Sequence, residues 1–181
     1  MSTFLISCAG SKQLPMKNKS KIDLLAYNDI LGEARLDLIN LTGIELDWDF
    51  TLPAWKLYSG NRSRLFRQID QSNWEKPNAE IKILSALFGW IKHTDLIPYY
   101  NLKMDEKRGP NNQYIWKIWY DKGILRQVNI NAVQDYDLLS NLYRRAINKT
   151  GNQIAQVPDE EFTEHYGTQK GKWLNKQLNL I

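Results

Sequence analysis

Short apolar runs alternate with segments of helical spacing along this chain. The two strongest runs are TFLISCAG, residues 3–10, and IKILSAL, residues 81–87, and each leads into a glycine-containing loop. Such runs predict buried strands of a mainly parallel sheet. Between them, residues 22–43 carry apolar side chains at the spacing of one helix face, and Gly43 predicts the end of that helix.

The weaker patterns predict further short elements. Residues 49–60 are expected to be extended before a turn, and residues 61–71, NRSRLFRQIDQ, predict a helix with a basic face. Residues 113–133 have a helical period that Gly123 is expected to interrupt. Three more segments are a weak strand at 136–140, a helix at 141–150, and a helix start at 158 that leads to a basic amphipathic stretch.

Strands that alternate with helices predict an α/β fold with a central, mainly parallel sheet flanked by helices. The sequence has no repeat and no long linker, so a single domain over residues 1–181 is expected. In such sheets, ligands bind beyond the carboxyl ends of the strands. Three motif-like segments are expected to converge there: SCAGSK, LYSGNRS and LFGWIKHTDLIPYY.

The composition narrows the chemistry. Lys and Arg number 24 against 20 Asp and Glu, so the net charge is +4, which permits a nucleic-acid partner. The one cysteine, Cys8, and the two histidines supply no zinc cluster, and a reducing cytoplasm is the expected location. No apolar run reaches the ~20 residues of a membrane span, and the N-terminus does not read as a signal peptide.

The three segments resemble the YaaA family of peroxide-stress proteins and its smaller relatives. That family has a first strand running into a loop with Ser and Lys, then a tyrosine–glycine turn, then a strand followed by Asp and Pro-Tyr-x-Leu-x-Met. Phe88 stands where the family has tyrosine, and Asn101 where it has arginine. The matching positions are Ser7, Ser11 and Lys12; Leu57, Tyr58, Ser59 and Gly60; and Ser85, Leu87, Phe88, Gly89, Asp95, Pro98, Tyr99, Leu102 and Met104.

The resemblance implies DNA binding in a positively charged cleft and a uracil-DNA-glycosylase-like or YaaA-like fold. It makes a DNA glycosylase the leading hypothesis: an enzyme that hydrolyses the N-glycosidic bond of a modified base, in duplex DNA or a flipped-out nucleotide, with phage defence as one setting. Two alternatives stay open, a non-catalytic DNA-binding stress-response protein and a nucleoside or nucleotide hydrolase. No metal or cofactor is expected.

Asp95 is the candidate catalytic residue. It lies among Leu96, Ile97 and aromatic residues, just beyond a predicted strand. A carboxylate in such surroundings stabilises the oxocarbenium-like sugar of glycosidic hydrolysis and orients or deprotonates water. The other interpretation is that Asp95 caps its own turn, which aspartate does often.

Aromatic and polar side chains of the three segments are candidates to hold a flipped nucleotide. Rings stack on an extruded base, loop amides and hydroxyls hold phosphate, and asparagine reads a base edge. Core packing is the other interpretation for Phe88, and a solvated loop for the residues after the first strand. Cys8 is expected to be a small buried residue. The substrate-binding candidates are Ser7, Ser11, Lys12, Tyr58, Ser59, Phe88, Gly89, Tyr99 and Asn101.

Three basic clusters are candidates for contacts with DNA phosphates. Acidic residues gather elsewhere, in GIELDWD and PDEEFTE, so the two signs of charge are segregated. Solvated helix faces are the other interpretation of each cluster taken alone. The nucleic-acid-binding candidates are Arg62, Arg64, Arg67, Arg144, Arg145, Lys170 and Lys172.

Overall fold

The computed structural model describes residues 2–17, 30–158, 162 and 166–181. Its strands are β1 Thr3–Ser7, β2 Thr51–Pro53, β3 Glu80–Ser85, β4 Gly89–Lys92, β5 Leu96–Pro98, β6 Lys107–Arg108, β7 Gln113–Tyr114 and β8 Tyr136–Asp137. Its α-helices are α1 Gly32–Thr42, α2 Ala54–Leu57, α3 Gln71–Trp74, α4 Ile115–Lys122, α5 Asn141–Arg144 and α6 Tyr166–Asn179. No helix within these ranges is long and apolar enough to span a membrane.

A four-stranded sheet in the order β4-β3-β1-β8 forms the centre of the molecule. Strand β1 runs parallel to both of its neighbours, and its register on β3 pairs Thr3 with Glu80 and Ser7 with Leu84. Strand β4 is antiparallel to β3. The sheet is therefore mixed and mostly parallel, with helices flanking it, and the predicted α/β class is confirmed. The single domain over residues 1–181 stays a prediction.

The central strands are buried because their side chains are apolar on both faces. Leu5 of β1 and Ile83 of β3 are completely enclosed. The buried side chain of Arg35 on α1 fixes that helix to the turn between β3 and β4: its Nε donates to Phe88 O at 2.7 Å and its Nη2 to Trp90 O at 2.8 Å. The guanidinium is buried beside carbonyl oxygens that it satisfies, as a buried charge requires.

The turn between β3 and β4 decides which edge of the sheet the following residues reach. Strand β3 ends at Ser85, Gly89 adopts a φ of +65° that favours glycine, and β4 then runs back toward the start of β3. Asp95 follows β4, so it lies at the amino edge of β3, away from the carboxyl ends of β1, β3 and β8. The expectation that Asp95 lies beyond the carboxyl ends of the parallel strands is wrong, because β4 reverses the chain direction.

Two helix ends were predicted correctly from glycine. Helix α1 ends at Thr42 and is capped by Gly43 at φ +64°, and α4 ends at Lys122 before Gly123 at φ +67°. In both caps the glycine N–H donates to carbonyl oxygens of the last helical turn. The predicted start of the first helix, residues 22–29, lies outside the described residues.

Other predicted elements are shorter than expected. Residues 61–71 do not form one helix: the Ser63 N–H closes a turn onto Gly60 O, and Phe66–Gln68 forms a single 3₁₀ turn. The 49–60 segment is extended only in β2 and then makes the one-turn helix α2. The helix predicted at 141–150 is limited to α5. Most of the predicted helix start after residue 158 lies outside the described residues.

Candidate functional site

The carboxyl ends of β1, β3 and β8 meet at one edge of the sheet. Strand β1 continues into Cys8, whose N–H donates to Leu84 O of β3 at 3.0 Å. The chain after β8 is held to the same strand, because the Ser140 N–H donates to Ser7 Oγ at 3.0 Å. Ser7, predicted as a substrate contact, is thus a strand-linking acceptor at the centre of this edge.

A network of hydroxyl groups lies directly behind this edge. Tyr100 Oη is 2.7 Å from Tyr58 Oη and 2.8 Å from Ser85 Oγ, and Tyr143 Oη is 3.0 Å from Cys8 Sγ. Burial raises the pKa of Tyr58, Tyr100 and Tyr143 well above the ordinary tyrosine value. These phenols stay neutral at physiological pH, and Tyr58 is fully enclosed, so its ring supports the site from behind.

Lys12 lies in front of the tyrosines. Its Nζ is 4.5 Å from the ring centroid of Tyr100 and 5.8 Å from that of Tyr58. Burial lowers the pKa of Lys12, and the nearby Cys8 opposes that shift. The Lys12 side chain is therefore partly buried, and its amine lies over the rings of Tyr58 and Tyr100.

The loop after β1 and the loop after α2 pack tightly against each other. Ser11 Oγ accepts the Arg62 N–H at 3.0 Å. A Cβ at Gly60 would lie 2.5 Å from Ser11 Oγ, so only glycine permits this approach. Ser59, another predicted substrate contact, uses its hydroxyl to donate to Trp55 O at 2.6 Å. Two of the three predicted motifs are therefore in contact, as expected.

Two open clefts run along these loops. The first, which we call the loop cleft, has a volume of about 790 Å³ and includes Lys12, Arg62 and Tyr99 in its lining. Tyr99 is 42% exposed, so its ring is available at the surface. The second, which we call the arginine cleft, has a volume of about 570 Å³ and contains the exposed residues Arg62, Arg64 and Arg67.

A cavity of about 250 Å³ opens beside the arginine cleft and shares Ser63 and Arg64 with it. Leu65, Phe66 and Leu138 supply apolar lining, while Cys8, Ser140, Tyr143 and Lys170 supply polar groups. Ser63 is only 6% exposed, and among the described residues its Oγ has no hydrogen-bond partner. Ser63 Oγ is therefore able to form a hydrogen bond with a group that enters the cavity.

Lys170 of α6 closes one side of this cavity. Its Nζ donates to Leu138 O at 2.7 Å and to Leu139 O at 2.8 Å, and it lies 4.0 Å from the ring centroid of Tyr166. Burial and, to a smaller extent, the neighbouring Arg144 lower the pKa of Lys170 to about 7, and Asp137 opposes this shift. At neutral pH this amine is therefore populated in both protonation states.

The structure separates some predicted site residues from this edge. Asp95 Oδ2 accepts the Lys92 N–H at 2.8 Å within its own turn, which is the capping role. Phe88 is buried and its ring packs edge-on against Tyr100 at 5.3 Å, as core packing predicts. Gly89 is the first residue of β4, where the turn after β3 ends. Asn101 is exposed and does not line the cavity or either cleft.

The residues predicted to contact DNA include both buried and exposed side chains. Arg144 is buried, with its Nε 2.8 Å from Asp137 Oδ2, so it is a structural residue and the prediction of a phosphate contact is corrected. Arg145 is exposed and its guanidinium lies 5.7 Å from the Trp116 ring. Lys172 is exposed on α6, whereas Lys170 faces the cavity.

The sequence predicts neither Ser63 nor Tyr143 as a site residue, and it predicts Lys170 as a contact for DNA phosphates. One available signal was the helical period of the C-terminal segment, because Lys170 is three and four residues before the buried Trp173 and Leu174. That spacing places Lys170 on the apolar face of α6. The position of Tyr143 had no comparable local signal, since its contact with Cys8 spans most of the chain.

Comparison with known families gives one match over most of the chain. A family model described as peroxide stress protein YaaA matches residues 5–176. The matched range runs from β1 into α6 and therefore includes every element that lines the cavity. No curated protein matches the chain.

Proposed function

This chain belongs to the peroxide stress protein YaaA family, and we propose that it is a DNA-binding enzyme that hydrolyses the N-glycosidic bond of a modified base. One observation carries the proposal: a cavity of about 250 Å³, lined by hydroxyl and amine groups, adjoins a cleft with three exposed arginines. The cleft would hold the phosphate backbone, and the cavity would receive the base after it leaves the duplex.

The charge of the site supports a polyanionic partner. Within the described part of the chain, no carboxylate lines the cavity, the loop cleft or the arginine cleft. The first turn of α6 borders the same region through Gly167 and Thr168. The N–H groups of a first turn have no partner within their own helix and favour phosphate.

The lining of the cavity supports a planar heterocyclic ligand. Leu65, Phe66 and Leu138 offer apolar contact to the faces of a base, and Ser63 Oγ and Tyr143 Oη offer polar groups to its edge. Enzymes that act on bases bind the flipped base by this combination of packing and edge hydrogen bonds. Tyr99, exposed in the loop cleft, would stack on a neighbouring nucleotide.

The proposal includes the partner, the setting and the finer fold. The partner is duplex DNA or a flipped-out nucleotide, the setting is defence against phage with modified DNA, and the location is the cytoplasm. The parallel strands β1, β3 and β8, with the cavity at their carboxyl edge, support an assignment to the uracil-DNA-glycosylase-like or YaaA-like folds.

The experiment is mass spectrometry of the small molecules released from duplexes that carry different modified bases. Release of a free base supports the proposal, and Ser63→Leu, which fills the cavity, should abolish the release. Ser72→Leu is the matched control, because Ser72 is exposed on α3. If no duplex loses a base, or if Ser63→Leu is folded and releases base at the wild-type rate, the proposal fails.

A variant of Asp95 is tested in the same base-release experiment. Its capping bond to Lys92 N–H lies at the amino edge of the sheet, so the cavity receives no carboxylate from it. Asp95→Asn tests the role that the sequence suggested. Loss of base release in a variant with unchanged thermal stability would restore Asp95 as the catalytic group and would contradict the cavity-centred mechanism.

A non-catalytic DNA-binding stress-response protein is the second candidate. The observation in its favour is that the described lining of the cavity lacks a carboxylate, which most glycosidic hydrolysis requires. Salt-sensitive DNA binding without release of any base identifies this alternative. A nucleoside or nucleotide hydrolase, which would use the cavity without the clefts, would cleave free nucleosides and be indifferent to the arginine cleft.

A further inference from the structure

Lys170 supplies an amine to the cavity at the carboxyl edge of the sheet, and no carboxylate of the described residues lines that cavity. We propose that Lys170 Nζ is the nucleophile of this site and that it forms a Schiff base with C1′ of deoxyribose in DNA. This inference rests on the proposed function and specifies its chemistry: the substrate class includes the aldehyde of an abasic site, and the activity extends to cleavage of the strand.

The position of the amine is fixed by three contacts. Its hydrogen bonds to Leu138 O and Leu139 O hold Nζ against the chain that follows β8. The Tyr166 ring covers another side of the amine. A neutral amine satisfies both carbonyls with its two protons and keeps one lone pair for attack. A protonated lysine has no lone pair, so the same geometry is unreactive until a proton leaves.

The surroundings favour the neutral amine. Burial and the adjacent guanidinium of Arg144 bring the pKa of Lys170 to about 7, despite the opposing effect of Asp137. Desolvation together with a neighbouring cation is a recognised way for proteins to activate a lysine as a nucleophile. A purely structural role, in which Lys170 supports the chain after β8, would account for the two hydrogen bonds. It would not account for the burial of the amine, because an ammonium group in water avoids the cost of desolvation.

Two further groups indicate where the sugar and its phosphate would lie. Ser63 Oγ is buried, lines the same cavity and has no partner among the described residues. Arg64 is exposed and belongs to both the cavity and the arginine cleft. A phosphate at Arg64 and the first turn of α6 would place the attached sugar toward Ser63 and Lys170.

The chemistry balances without an added reactant. The Nζ lone pair attacks C1′, the C1′–N bond breaks with its electron pair on the base, and the base takes the proton that Nζ releases. At an existing abasic site, attack on the aldehyde instead expels water. On the first route, the Nζ lone pair then breaks the C1′–O4′ bond, and O4′ takes a proton from solvent water, so both routes give a protonated imine. A C2′ proton passes to solvent, the resulting enamine breaks the C3′–O3′ bond, and the 3′ phosphate leaves with that electron pair.

The test is reductive trapping with sodium borohydride, using an end-labelled duplex that carries one abasic site. Hydride reduces the imine to an amine and leaves a stable protein–DNA adduct. We expect the wild-type protein to be trapped, Lys170→Arg to lose the adduct, and Lys117→Met, which removes a half-buried lysine of α4 outside the cavity, to keep it. Peptide mapping of the wild-type adduct should place the modification on Lys170, whether or not the variant folds.

The outcomes separate this inference from the proposed function. No adduct from the wild-type protein, or an adduct mapped to another amine, overturns the role of Lys170. If base release is nevertheless observed, the glycosylase proposal stands with another nucleophile. An adduct on Lys170 without release of any base supports the Schiff base and refutes the glycosylase step, leaving a lyase that acts on abasic sites.

Discussion

Arg144, the last residue of α5, and Arg145, which follows it, differ completely in their surroundings. Arg144 is buried, pairs with Asp137 and also donates from Nη1 to Asn141 Oδ1 at 2.8 Å. Asp137 in turn accepts the N–H groups of Leu139 and Ile154. This pair joins β8 to the chain that follows it and so supports one wall of the cavity.

Removal of the Arg144 side chain should therefore be costly. Arg144→Ala leaves the carboxylate of Asp137 buried without its cation, which typically costs about 3–5 kcal/mol; the two backbone donors to Asp137 favour the lower end. Arg145→Ala removes an exposed side chain and should change the free energy of unfolding by less than about 0.5 kcal/mol. Urea unfolding of both variants checks this, and similar losses in the two would contradict the buried pair.

Lys170 links the protonation of the cavity to the stability of the fold. Its pKa is about 7 in the folded protein against an ordinary 10.5, so the unfolded chain binds more protons between these pH values. The contribution of this group to stability therefore rises as the pH increases from about 7 to 10.5 and is lowest below 7.

Lys170→Met should remove this dependence. The free energy of unfolding of the variant, relative to that of the wild-type protein, should be highest near pH 7. This difference should decrease as the pH approaches 10.5. The measurement is the free energy of unfolding at several pH values, with Lys117→Met as the baseline for losing a half-buried lysine that does not line the cavity. A constant difference between Lys170→Met and wild type across this range would show that the amine titrates normally.

At the scale of elements, helix α6 is placed by two glycines. A Cβ at Gly167 would lie 3.1 Å from Arg64 Cβ, and one at Gly171 would collide with Leu65 O and lie 2.8 Å from Gln68 Cβ. The helix therefore contacts the 63–68 segment at backbone distance. That contact brings Lys170 and Ser63 to the same cavity.

Gly171→Ala should reverse the usual effect of this substitution. In an unconstrained helix interior, alanine is more stable than glycine by about 0.5–1 kcal/mol. Here the added methyl group must displace α6, and overpacking of this kind costs about 1–3 kcal/mol. Gly10→Ala is the control, because no atom lies within 4 Å of its added Cβ. A stabilised Gly171→Ala in urea unfolding would contradict the close packing.

At the scale of the molecule, a modest net charge of +4 is distributed so that the clefts are cationic. The structural reassignment of Arg144 leaves Arg62, Arg64, Arg67 and Lys12 as the cations that face the open clefts. Such a patch determines affinity for a polyanion through release of counterions, and that contribution depends on salt concentration.

Substitution of Arg64 and Arg67 by Gln should make duplex binding weaker and less sensitive to salt. Each lost phosphate contact reduces the slope of log K against log salt by about 0.9. Fluorescence anisotropy over a salt series measures the slope. Arg126→Gln is the matched control, because Arg126 lies beyond α4 and outside both clefts. An unchanged slope in the double variant would exclude this cleft as the phosphate path.

The family and the class of fold were accessible from the sequence, for local reasons. The apolar runs of β1 and β3, the glycine ends of α1 and α4, and the spacing of the three motifs all depend on residues close together in the chain. The contact between the first two motifs was also predicted, since both follow buried segments. These features need no knowledge of how the strands are ordered.

The composition of the site was decided only in three dimensions. Residues 85–104, which contain the most specific motif, reach both edges of the sheet. Asp95 lies at one edge and Tyr100 at the other, because β4 is antiparallel to β3 and the chain returns through β5. Likewise, Cys8 meets Tyr143, and Ser63 and Lys170 line one cavity, across most of the sequence. Sequence periodicity fixes which face of an element is buried, whereas strand direction and packing partner fix which groups share a pocket.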